Sequence, residues 1–232
     1  MPKRFQAETA DIVFHAFNRA VRGTVLFQEP ADYAAFERIL AEAVGRTGLR
    51  LLAYCLMPNH WHLVVWPTED NQLVRCMHWL ASTHAKRWQT YRRQVGTGAV
   101  YQGRYKAIPV QTERYFLTLC RYVERNPLRA ELVDRAESWP WGSLAARETN
   151  CSNVPLSTWP ILRPEPWVEL VNSAQTGAEL EPIRDSAQAG RPLGDDGWAA
   201  SIQSRFGDRR RPTRGRPRKD AGFIFRTTDG GK

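Results

Sequence analysis

Two short apolar runs, residues 49–56 and 61–66, lie on either side of Met57-Pro58-Asn59 and constrain the fold more than any other feature. Runs of this length, rich in aliphatic and aromatic residues and joined by a turn-forming segment, predict two neighbouring strands. The short connection requires the two strands to run antiparallel. The sequence therefore predicts a hairpin at the centre of the chain.

The other elements follow from the spacing of apolar residues. Strands are predicted at 12–17 and 105–110, and helices after Pro30, at 71–93 and at 113–126. The order β-α-β-β-α-β with one added helix is typical of the split βαβ arrangement. We therefore predict an α+β fold: a ferredoxin-like, or RRM-like, antiparallel sheet with helices on one side and a basic C-terminal extension. Such a fold hosts many functions, so function has to be argued from individual residues.

Charge narrows the class of partner. The chain has 33 Lys and Arg against 24 Asp and Glu, a net charge of +9, which favours nucleic acid first and an anionic membrane second. No run approaches the roughly 20 apolar residues of a membrane helix, and the first residues lack the apolar block of a signal peptide. We expect a cytoplasmic protein. Its four cysteines are scattered, which argues against a zinc ribbon or a disulfide framework.

The C-terminal third has a different composition. We predict a core domain at 1–148, a proline- and tryptophan-rich segment at 149–200 that wraps on the core, and a basic, flexible tail at 201–232. An Asp-capped helix is predicted at 195–206. Within the tail, Arg214-Gly215-Arg216-Pro217 resembles an AT-hook, whose arginines would enter the minor groove of A·T-rich DNA. A merely solubilising tail explains the same residues.

The sharpest local motif is His60-Trp61-His62, in the second strand of the predicted hairpin. Residues two apart in a strand point to the same face, so the two imidazoles project together while Trp61 points the other way. Two nitrogen donors at this spacing can chelate a metal ion. The same pattern fits two histidines on a polar sheet surface, and the motif alone leaves both interpretations open.

A second motif lies in the helix predicted at 113–126. Tyr122 and Asn126 are four residues apart, so they share one helical face and can offer a phenol and an amide oxygen to one point. Tyr122 also fits a core aromatic with a polar tip. Pro127 gives Asn126 a purely structural explanation as a helix-ending residue.

Taken together, the motifs resemble the single-tyrosine HUH transposases. The similar blocks are Asn18-Arg19, Met57-Pro58-Asn59-His60-Trp61-His62, Tyr101-Gln102-Gly103-Arg104-Tyr105-Lys106, Arg121-Tyr122-Val123-Glu124-Arg125-Asn126-Pro127 and Trp139-Pro140-Trp141-Gly142-Ser143. The five blocks occur in the order of that family and cover about residues 10–147. More narrowly, they are similar to the REP-associated tyrosine transposases, a domesticated bacterial branch that acts on repetitive extragenic palindromes.

The resemblance implies roles for four residues. His60 and His62 would bind a divalent ion, Mg²⁺ or Mn²⁺, Tyr122 would attack DNA, and Asn126 would be the third protein ligand. Mobile-element relatives more often have a longer Gln at that position, so Asn126 departs from their pattern. Glu124 is a poorer candidate ligand, because a residue two positions along a helix from Tyr122 points elsewhere.

The implied function is a metal-dependent single-strand DNA endonuclease and strand transferase that cleaves at or near palindromic hairpins. Its 5′-phosphotyrosine intermediate keeps the bond energy for rejoining. The implied partner is single-stranded DNA with a REP-like hairpin, and a monomer is favoured over a homodimer. Candidate DNA contacts outside the tail are Arg19, Arg22, Arg104, Tyr105 and Lys106, although each also fits a solvated surface residue.

Two other functions fit the same residues. One is a non-catalytic DNA- or RNA-binding protein on the same fold. The other is a metal-dependent nuclease in which water attacks the phosphate and Tyr122 only positions DNA. Replacing Tyr122 by Phe distinguishes the hydrolytic nuclease from the transposase, because a hydrolase would keep much of its activity.

Overall fold

A four-stranded antiparallel sheet with the strand order β2-β3-β1-β4 forms the centre of the computed structural model, which describes residues 9–21, 23–150 and 152–206. The strands are β1 (Val13–Arg19), β2 (Arg50–Met57), β3 (His60–Trp66) and β4 (Lys106–Val110). The helices predicted within the core are α1 (Pro30–Thr47), α2 (Gln72–Tyr91) and α3 (Arg114–Glu124). The predicted element order and the ferredoxin-like α+β fold are confirmed.

The hairpin of β2 and β3 sets the register of the sheet. Only Pro58 and Asn59 separate the two strands, and Met57 pairs with His60 directly after the turn. Proline suits this position because its ring fixes φ at a value that turns use. Since a slip by one residue would move every side chain to the other face, this turn determines the face on which His60 and His62 lie.

The first face of the sheet is covered by α1 and α2. Phe36 and Leu40 of α1 and Met77 and Leu80 of α2 are fully buried there against the strands. α1 ends at Gly48, which adopts a left-handed conformation with φ of 67° and donates its N–H to the carbonyl of Val44 at 2.8 Å. This face forms the larger part of the core.

The second face is covered by α3, which corrects part of the prediction. The prediction placed the helices on one side of the sheet, which holds for α1 and α2. α3 lies on the opposite face, where Phe116, Leu119 and Val123 pack with Cys55 and Val64. The apolar stripe of a helix shows that it is buried, but not against which face of a sheet. The candidate site residues lie between α3 and this second face.

The C-terminal end of α3 also differs from the prediction. The sequence predicted one helix over 113–126, whereas α3 ends at Glu124 and a separate turn of helix, α4 (Asn126–Arg129), follows after Arg125. Pro127 has no N–H to donate to the carbonyl four residues earlier, so the helical hydrogen-bond ladder is interrupted there. The backbone nevertheless stays close to helical, because Arg125 donates to the carbonyl of Arg121 at 2.9 Å.

The outer edge of β2 is covered by the segment that follows α4. The backbone N–H of Leu56 donates to the carbonyl of Trp141 at 2.9 Å, and that of Ser157 donates to the carbonyl of Leu51 at 2.8 Å. The indole of Trp159 donates to the carbonyl of Leu52 at 2.8 Å. The hydrogen-bonding groups of this edge strand are therefore used within the chain.

The edge of β4 is covered in a similar way. Leu193 pairs with Val110 in a parallel bridge, donates its N–H to the carbonyl of Pro109 at 2.8 Å and accepts the N–H of Gln111 at 2.8 Å. Pro109 is compatible with an edge strand because it needs no donor there. Both edges of the sheet are thus covered by residues that follow α4.

Helices and loops after α4 pack on the sheet and on α3. They comprise a 3₁₀ turn (Ala136–Ser138), α5 (Ser143–Thr149), α6 (Trp167–Asn172), α7 (Gly177–Ala189) and α8 (Asp196–Phe206). The predicted Asp-capped helix is confirmed, since Asp195 accepts the N–H of Trp198 at 2.8 Å. The domain divisions at residues 148 and 200 remain predictions. α8 extends to Phe206, which is buried, and the rest of the basic tail lies outside the described residues.

Two other sequence-based expectations concern cysteines and membranes. Cys55, Cys76 and Cys120 are free and buried. Cys151 lies outside the described residues. Among the helices of the described ranges, none combines the length and the apolar character needed to cross a bilayer.

Gly194 offers a test of the cover on β4. A Cβ atom at this position would lie 2.4 Å from Cε3 of Trp198 and 2.8 Å from Oε1 of Gln111. We predict that Gly194→Ala lowers the free energy of unfolding by about 1–3 kcal/mol, because the Trp198 indole and the Gln111 side chain have to shift. Urea denaturation followed by tryptophan fluorescence measures the change.

Gly45, in the last part of α1, is the matched control. A Cβ there meets nothing within 4 Å, and the residue is exposed. Gly45→Ala is expected to raise the free energy of unfolding by about 0.5–1 kcal/mol through helix propensity. Equal effects of the two substitutions would contradict the close packing described for Leu193 and α8.

Candidate active site

The histidine pair of β3 lies on the second face of the sheet, under α3. The ring centroids of His60 and His62 are 5.0 Å apart, and the rings are perpendicular. Trp61 points to the first face, is completely buried and donates its indole N–H to the Tyr101 hydroxyl at 3.1 Å. The alternation of a strand thus places both imidazoles together, as the sequence predicted.

Each of the two rings is oriented by one hydrogen bond at Nδ1. Nδ1 of His60 lies 2.7 Å from Oδ1 of Asn59, and Nδ1 of His62 lies 2.9 Å from Nε2 of His15 in β1. A proton on each of these Nδ1 atoms leaves the lone pair of the ring on Nε2. This is the arrangement in which outer hydrogen-bond partners usually hold metal-ligating histidines.

Burial favours the neutral form of all three rings. Burial, together with the charges of Arg19 and Arg129, lowers the pKa of His60 to about 4. The pKa of His62 lies well below its usual value, mainly because the ring is buried, and burial lowers that of His15 to about 3. Neutral imidazoles at neutral pH are the form that binds a metal ion.

Tyr122 of α3 lies directly above this cluster. Its ring centroid is 5.9 Å from that of His62 and 6.3 Å from that of His15, with both contacts edge-on. The side chain is half-buried. The two motifs, which are about 60 residues apart in the sequence, are therefore adjacent in the fold.

Asn126 and Arg129 of α4 extend the cluster beyond Tyr122. Asn126 is buried, and its Oδ1 accepts a hydrogen bond from Nη2 of Arg129. Its Nδ2 has no partner among the described residues. The guanidinium carbon of Arg129 lies 4.3 Å from the centroid of the Tyr122 ring.

The cluster offers neutral donors to a divalent ion of the kind the sequence suggested. Within the described residues, no group of three or more His, Cys, Asp or Glu side chains could hold a metal. Two neutral imidazoles offer nitrogen donors, and the amide oxygen of Asn126, which accepts from Arg129, is the candidate oxygen donor. A substrate phosphate would add the oxygens that Mg²⁺ or Mn²⁺ prefers.

Glu124 does not belong to this cluster. Its buried carboxylate accepts the Ser143 hydroxyl at 2.6 Å and the Trp167 indole N–H at 2.7 Å. Ser143 in turn accepts the backbone N–H of Tyr54 in β2 at 3.0 Å. Glu124 therefore points away from the histidines, as its spacing from Tyr122 predicted, and connects α3 to the sheet.

Two arginines on the outer side of α3 hold the C-terminal segment. Arg121 pairs with Glu179 at 2.7 Å and donates to the carbonyl of Ser173 at 2.9 Å. Arg125 donates to the carbonyls of Val171 and Asn172 at the end of α6. The tyrosine helix is thus fixed both to the sheet and to the segment outside it.

The predicted DNA contacts fall into two groups. Arg19 is the register partner of His60 in the neighbouring strand, so it lies on the second face of the sheet. Lys106 lies on the same face, with its ammonium over the Phe17 ring. Arg104 and Tyr105 instead line a pocket with Asn18 and with Met77 of α2, on the first face of the sheet. Arg22, Arg214 and Arg216 lie outside the described residues.

The sequence-based reasoning missed three residues of the cluster. His15, Asn59 and Arg129 contact the predicted site residues directly. Asn59 belongs to the block that carries His60, and Arg129 lies two residues beyond the block that carries Asn126, so their positions could have suggested them. His15 is a polar residue on the buried face of β1, and this departure from the apolar pattern was its only signal.

Comparison with known proteins identifies the family. The chain matches the model of the IS200-like transposases over residues 9–126, which is 118 of its 232 residues. The chain therefore belongs to the IS200-like transposase family. The family resemblance drawn from the sequence blocks is confirmed, and the match extends from β1 to Asn126. No curated protein matches the chain.

One solved structure supports the same fold. A REP-associated tyrosine transposase bound to a REP hairpin superposes with a TM-score of 0.50 at 15% identity, over 62% of this chain and 82% of the other. A transposase candidate from Deinococcus radiodurans R1 gives a TM-score of 0.37 at 15% identity, over 49% of this chain and 88% of that one. At this identity the first comparison establishes a shared fold.

Glu124 provides a test of how α3 is attached. We predict that Glu124→Ala lowers the free energy of unfolding by about 2–4 kcal/mol, because the Ser143 hydroxyl and the Trp167 indole lose their acceptor and a cavity forms. Glu124→Gln, which keeps the volume and one acceptor, is expected to cost about 1 kcal/mol or less. Urea denaturation measures both, and equal losses for the two variants would contradict this role of the carboxylate.

Proposed function

We propose that this transposase cleaves and rejoins single-stranded DNA at or near palindromic hairpins, with Tyr122 as the nucleophile. The observation that carries the proposal is the position of the Tyr122 ring, within about 6 Å of that of His62 and in contact with Arg129, which donates to Asn126. A phenol in this place is next to the donors that would hold a metal ion. A merely structural aromatic would not need that neighbourhood.

The donors of the proposed ion are Nε2 of His60, Nε2 of His62 and Oδ1 of Asn126. When bound, Mg²⁺ or Mn²⁺ would supply Lewis-acid stabilisation of charge on the phosphate oxygens and leave coordination positions open for substrate. His15 and Asn59 orient the two imidazoles through their Nδ1 atoms. The contribution of the protein is to hold these donors in place before DNA arrives.

The proposed reaction is a transesterification. The Tyr122 oxygen forms a bond to phosphorus while the bond from phosphorus to the 3′ oxygen breaks, so the 3′ oxygen takes up a proton and leaves as a hydroxyl. The phenol loses its proton during the attack, because a neutral phenol is a weak nucleophile. One phosphodiester is exchanged for another, so the reverse attack by a 3′-hydroxyl rejoins DNA without ATP.

The proposed contacts with the strand are two cations, of which Lys106 also donates to the carbonyl of Ala187 at 2.9 Å. Arg19 and Lys106 lie on the face of the sheet that carries the histidines, and Phe17 between them offers an aromatic surface. Backbone phosphates bind such charges, and bases stack on such rings. The hairpin is inferred from the related fold of the REP-associated transposase, which is bound to a REP hairpin.

We also propose that the protein acts as a monomer. Both edges of the sheet are covered within the chain, by Trp141 and Ser157 on β2 and by Leu193 on β4. Neither edge strand offers a free row of backbone groups to a second copy. The tyrosine and the histidines of one site come from a single chain.

Tyr122→Phe tests the proposed nucleophile. Labelled single-stranded hairpin DNA is incubated with Mn²⁺ and the protein and then separated on denaturing gels. We expect the wild type to form a covalent protein–DNA band and the variant to form none, since the loss of the nucleophile removes the only covalent step. Tyr115→Phe is the matched control on the same helix and should keep the band.

The other outcomes point to other functions. Free cleavage products from both the wild type and Tyr122→Phe would mean that water attacks, and the protein would be a hydrolytic nuclease. Tight hairpin binding without any cleavage would make it a DNA-binding protein. Either result would overturn the proposal.

His15 tests the proposed ion site by a binding measurement. We predict that His15→Phe weakens Mn²⁺ binding by about 10–100-fold, because the Nδ1 proton of His62 loses its acceptor and the ring is no longer oriented. His15→Gln, whose amide oxygen can accept that proton, should recover part of the affinity. Titration calorimetry and electron paramagnetic resonance of free Mn²⁺ measure this without DNA.

The control is His84→Gln. His84 is equally buried, but it lies on the first face of the sheet and bonds to Tyr101 at 2.6 Å. Its substitution should leave Mn²⁺ binding unchanged. If His15→Phe bound Mn²⁺ like the wild type, His15 would have no part in an ion site.

A further inference from the structure

Arg129 is the residue whose environment the proposed function leaves unexplained. Its guanidinium carbon lies 4.3 Å above the Tyr122 ring, and its Nη2 donates to Oδ1 of Asn126. The other terminal nitrogen, Nη1, is buried and has no hydrogen-bond partner among the described residues. One face of the guanidinium therefore contacts the Tyr122 ring, while Nη1 donates no hydrogen bond to the described residues.

The neighbouring arginines have their partners within the chain. Arg121 forms an ion pair with Glu179, and Arg125 donates to backbone carbonyls at the end of α6. None of the ion pairs within the described ranges includes Arg129. A buried charged donor without an acceptor is costly, and groups of this kind are characteristic of binding sites.

Arg129 lies between two members of the cluster. It contacts the Tyr122 ring and donates to Asn126, and the Tyr122 ring is 5.9 Å from that of His62. Arg129 is thus close to the nucleophile and to the third candidate ligand. A phosphate attacked by Tyr122 and bound near His60 and His62 would come within reach of the same guanidinium.

We propose that Arg129 is a further catalytic residue, which binds a non-bridging oxygen of the scissile phosphate through Nη1. The proposal rests on the proposed function. During the attack, the Tyr122 oxygen bonds to phosphorus, the bond to the 3′ oxygen breaks, and negative charge is spread over the non-bridging oxygens. A planar guanidinium donates directional, charge-assisted hydrogen bonds to such oxygens.

Through its contact with Tyr122, the Arg129 side chain would also position the nucleophile. A guanidinium stacked on an aromatic face fixes the plane of the ring as well as its own position. Arg129 would therefore align the nucleophile and the phosphate with one group. Lysine at this position would keep the charge but lose the planar contact and the fork of donors.

The proposal differs from a role in ion binding. Because Nη2 donates to Oδ1 of Asn126, the cation competes with a divalent ion for that oxygen. Removing Arg129 should therefore leave Mn²⁺ affinity unchanged or slightly higher. If Arg129 merely positioned Asn126 as a ligand, the same substitution would weaken Mn²⁺ binding.

The test compares Arg129→Ala and Arg129→Lys with the wild type on the hairpin oligonucleotide that the wild type cleaves. We expect Arg129→Ala to form the covalent complex about 10²–10³-fold more slowly, as for the loss of one preorganised donor to a developing oxyanion. Arg129→Lys should recover part of the rate. Arg114→Ala, which removes an exposed charge from the start of α3, is the control for a general loss of charge.

A modified substrate makes the test specific. In a methylphosphonate at the cleavage position, a methyl group replaces one charged non-bridging oxygen, so there is less charge for Arg129 to neutralise. On phosphate, the ratio of the wild-type rate to the Arg129→Ala rate is expected to be about 10²–10³. On the methylphosphonate, this ratio should fall below about tenfold. Thermal denaturation verifies that each variant is folded. If Arg129→Ala does not fold, the comparison on the two substrates is made with Arg129→Lys.

The outcomes separate this inference from the proposed function. A wild-type rate for both variants, an equal defect on phosphate and methylphosphonate, or a loss of Mn²⁺ affinity parallel to the loss of rate would each overturn the role of Arg129. A wild type that forms no covalent complex would instead overturn the proposed function. The measured rates on the two substrates and the Mn²⁺ affinities together decide between these results.

Discussion

The attachment of α3 across the second face of the sheet is the constraint on which the candidate site depends. The histidines belong to strands and Tyr122 belongs to a helix, so the distance between them is fixed only by how that helix is held. The buried carboxylate of Glu124 does this through Ser143, which in turn accepts the N–H of Tyr54 in β2. The buried apolar residues of α3 supply most of the packing, while this chain of hydrogen bonds determines its position along the strands.

The same helix also connects the site with the C-terminal segment. Arg121 and Arg125 reach outwards to the end of α6 and to Glu179, while Tyr122 reaches inwards to the histidines. The last turn of α3 and the residue after it therefore contact both the sheet and the C-terminal segment. A shift of α3 would break contacts on both faces at once, so the geometry around Tyr122 is linked to the packing of residues far along the chain.

Much of the fold could be predicted from the sequence because it depends on local patterns. The two-residue alternation placed His60 and His62 on one face, and helical spacing brought Tyr122 close to Asn126. Which face α3 covers could not be predicted, since that depends on contacts between distant residues. The break of the helix after Glu124 could have been expected from Pro127. The roles of the four residues remain predictions.

Two of the three missed residues, His15 and Arg129, share one property. His15 acts on His62 across two strands, and Arg129 acts on Tyr122 from a separate turn of helix. Neither contact follows a spacing rule within one element, so neither left a motif. A polar residue in a buried strand position was the one available sign for His15. Sequence patterns identify the residues that share an element, and the contacts between elements need the structure.

The covered edges of the sheet have a consequence for how the chain folds as it is made. The fourth strand is complete at Val110, but the covers on the two edges come from Trp141, Ser157 and Leu193. While the ribosome adds the residues in between, a sheet of four strands would have both of its edges open, and open edges invite pairing with other chains. Completion of the chain beyond α4 therefore protects the protein against aggregation as well as supporting its tyrosine helix.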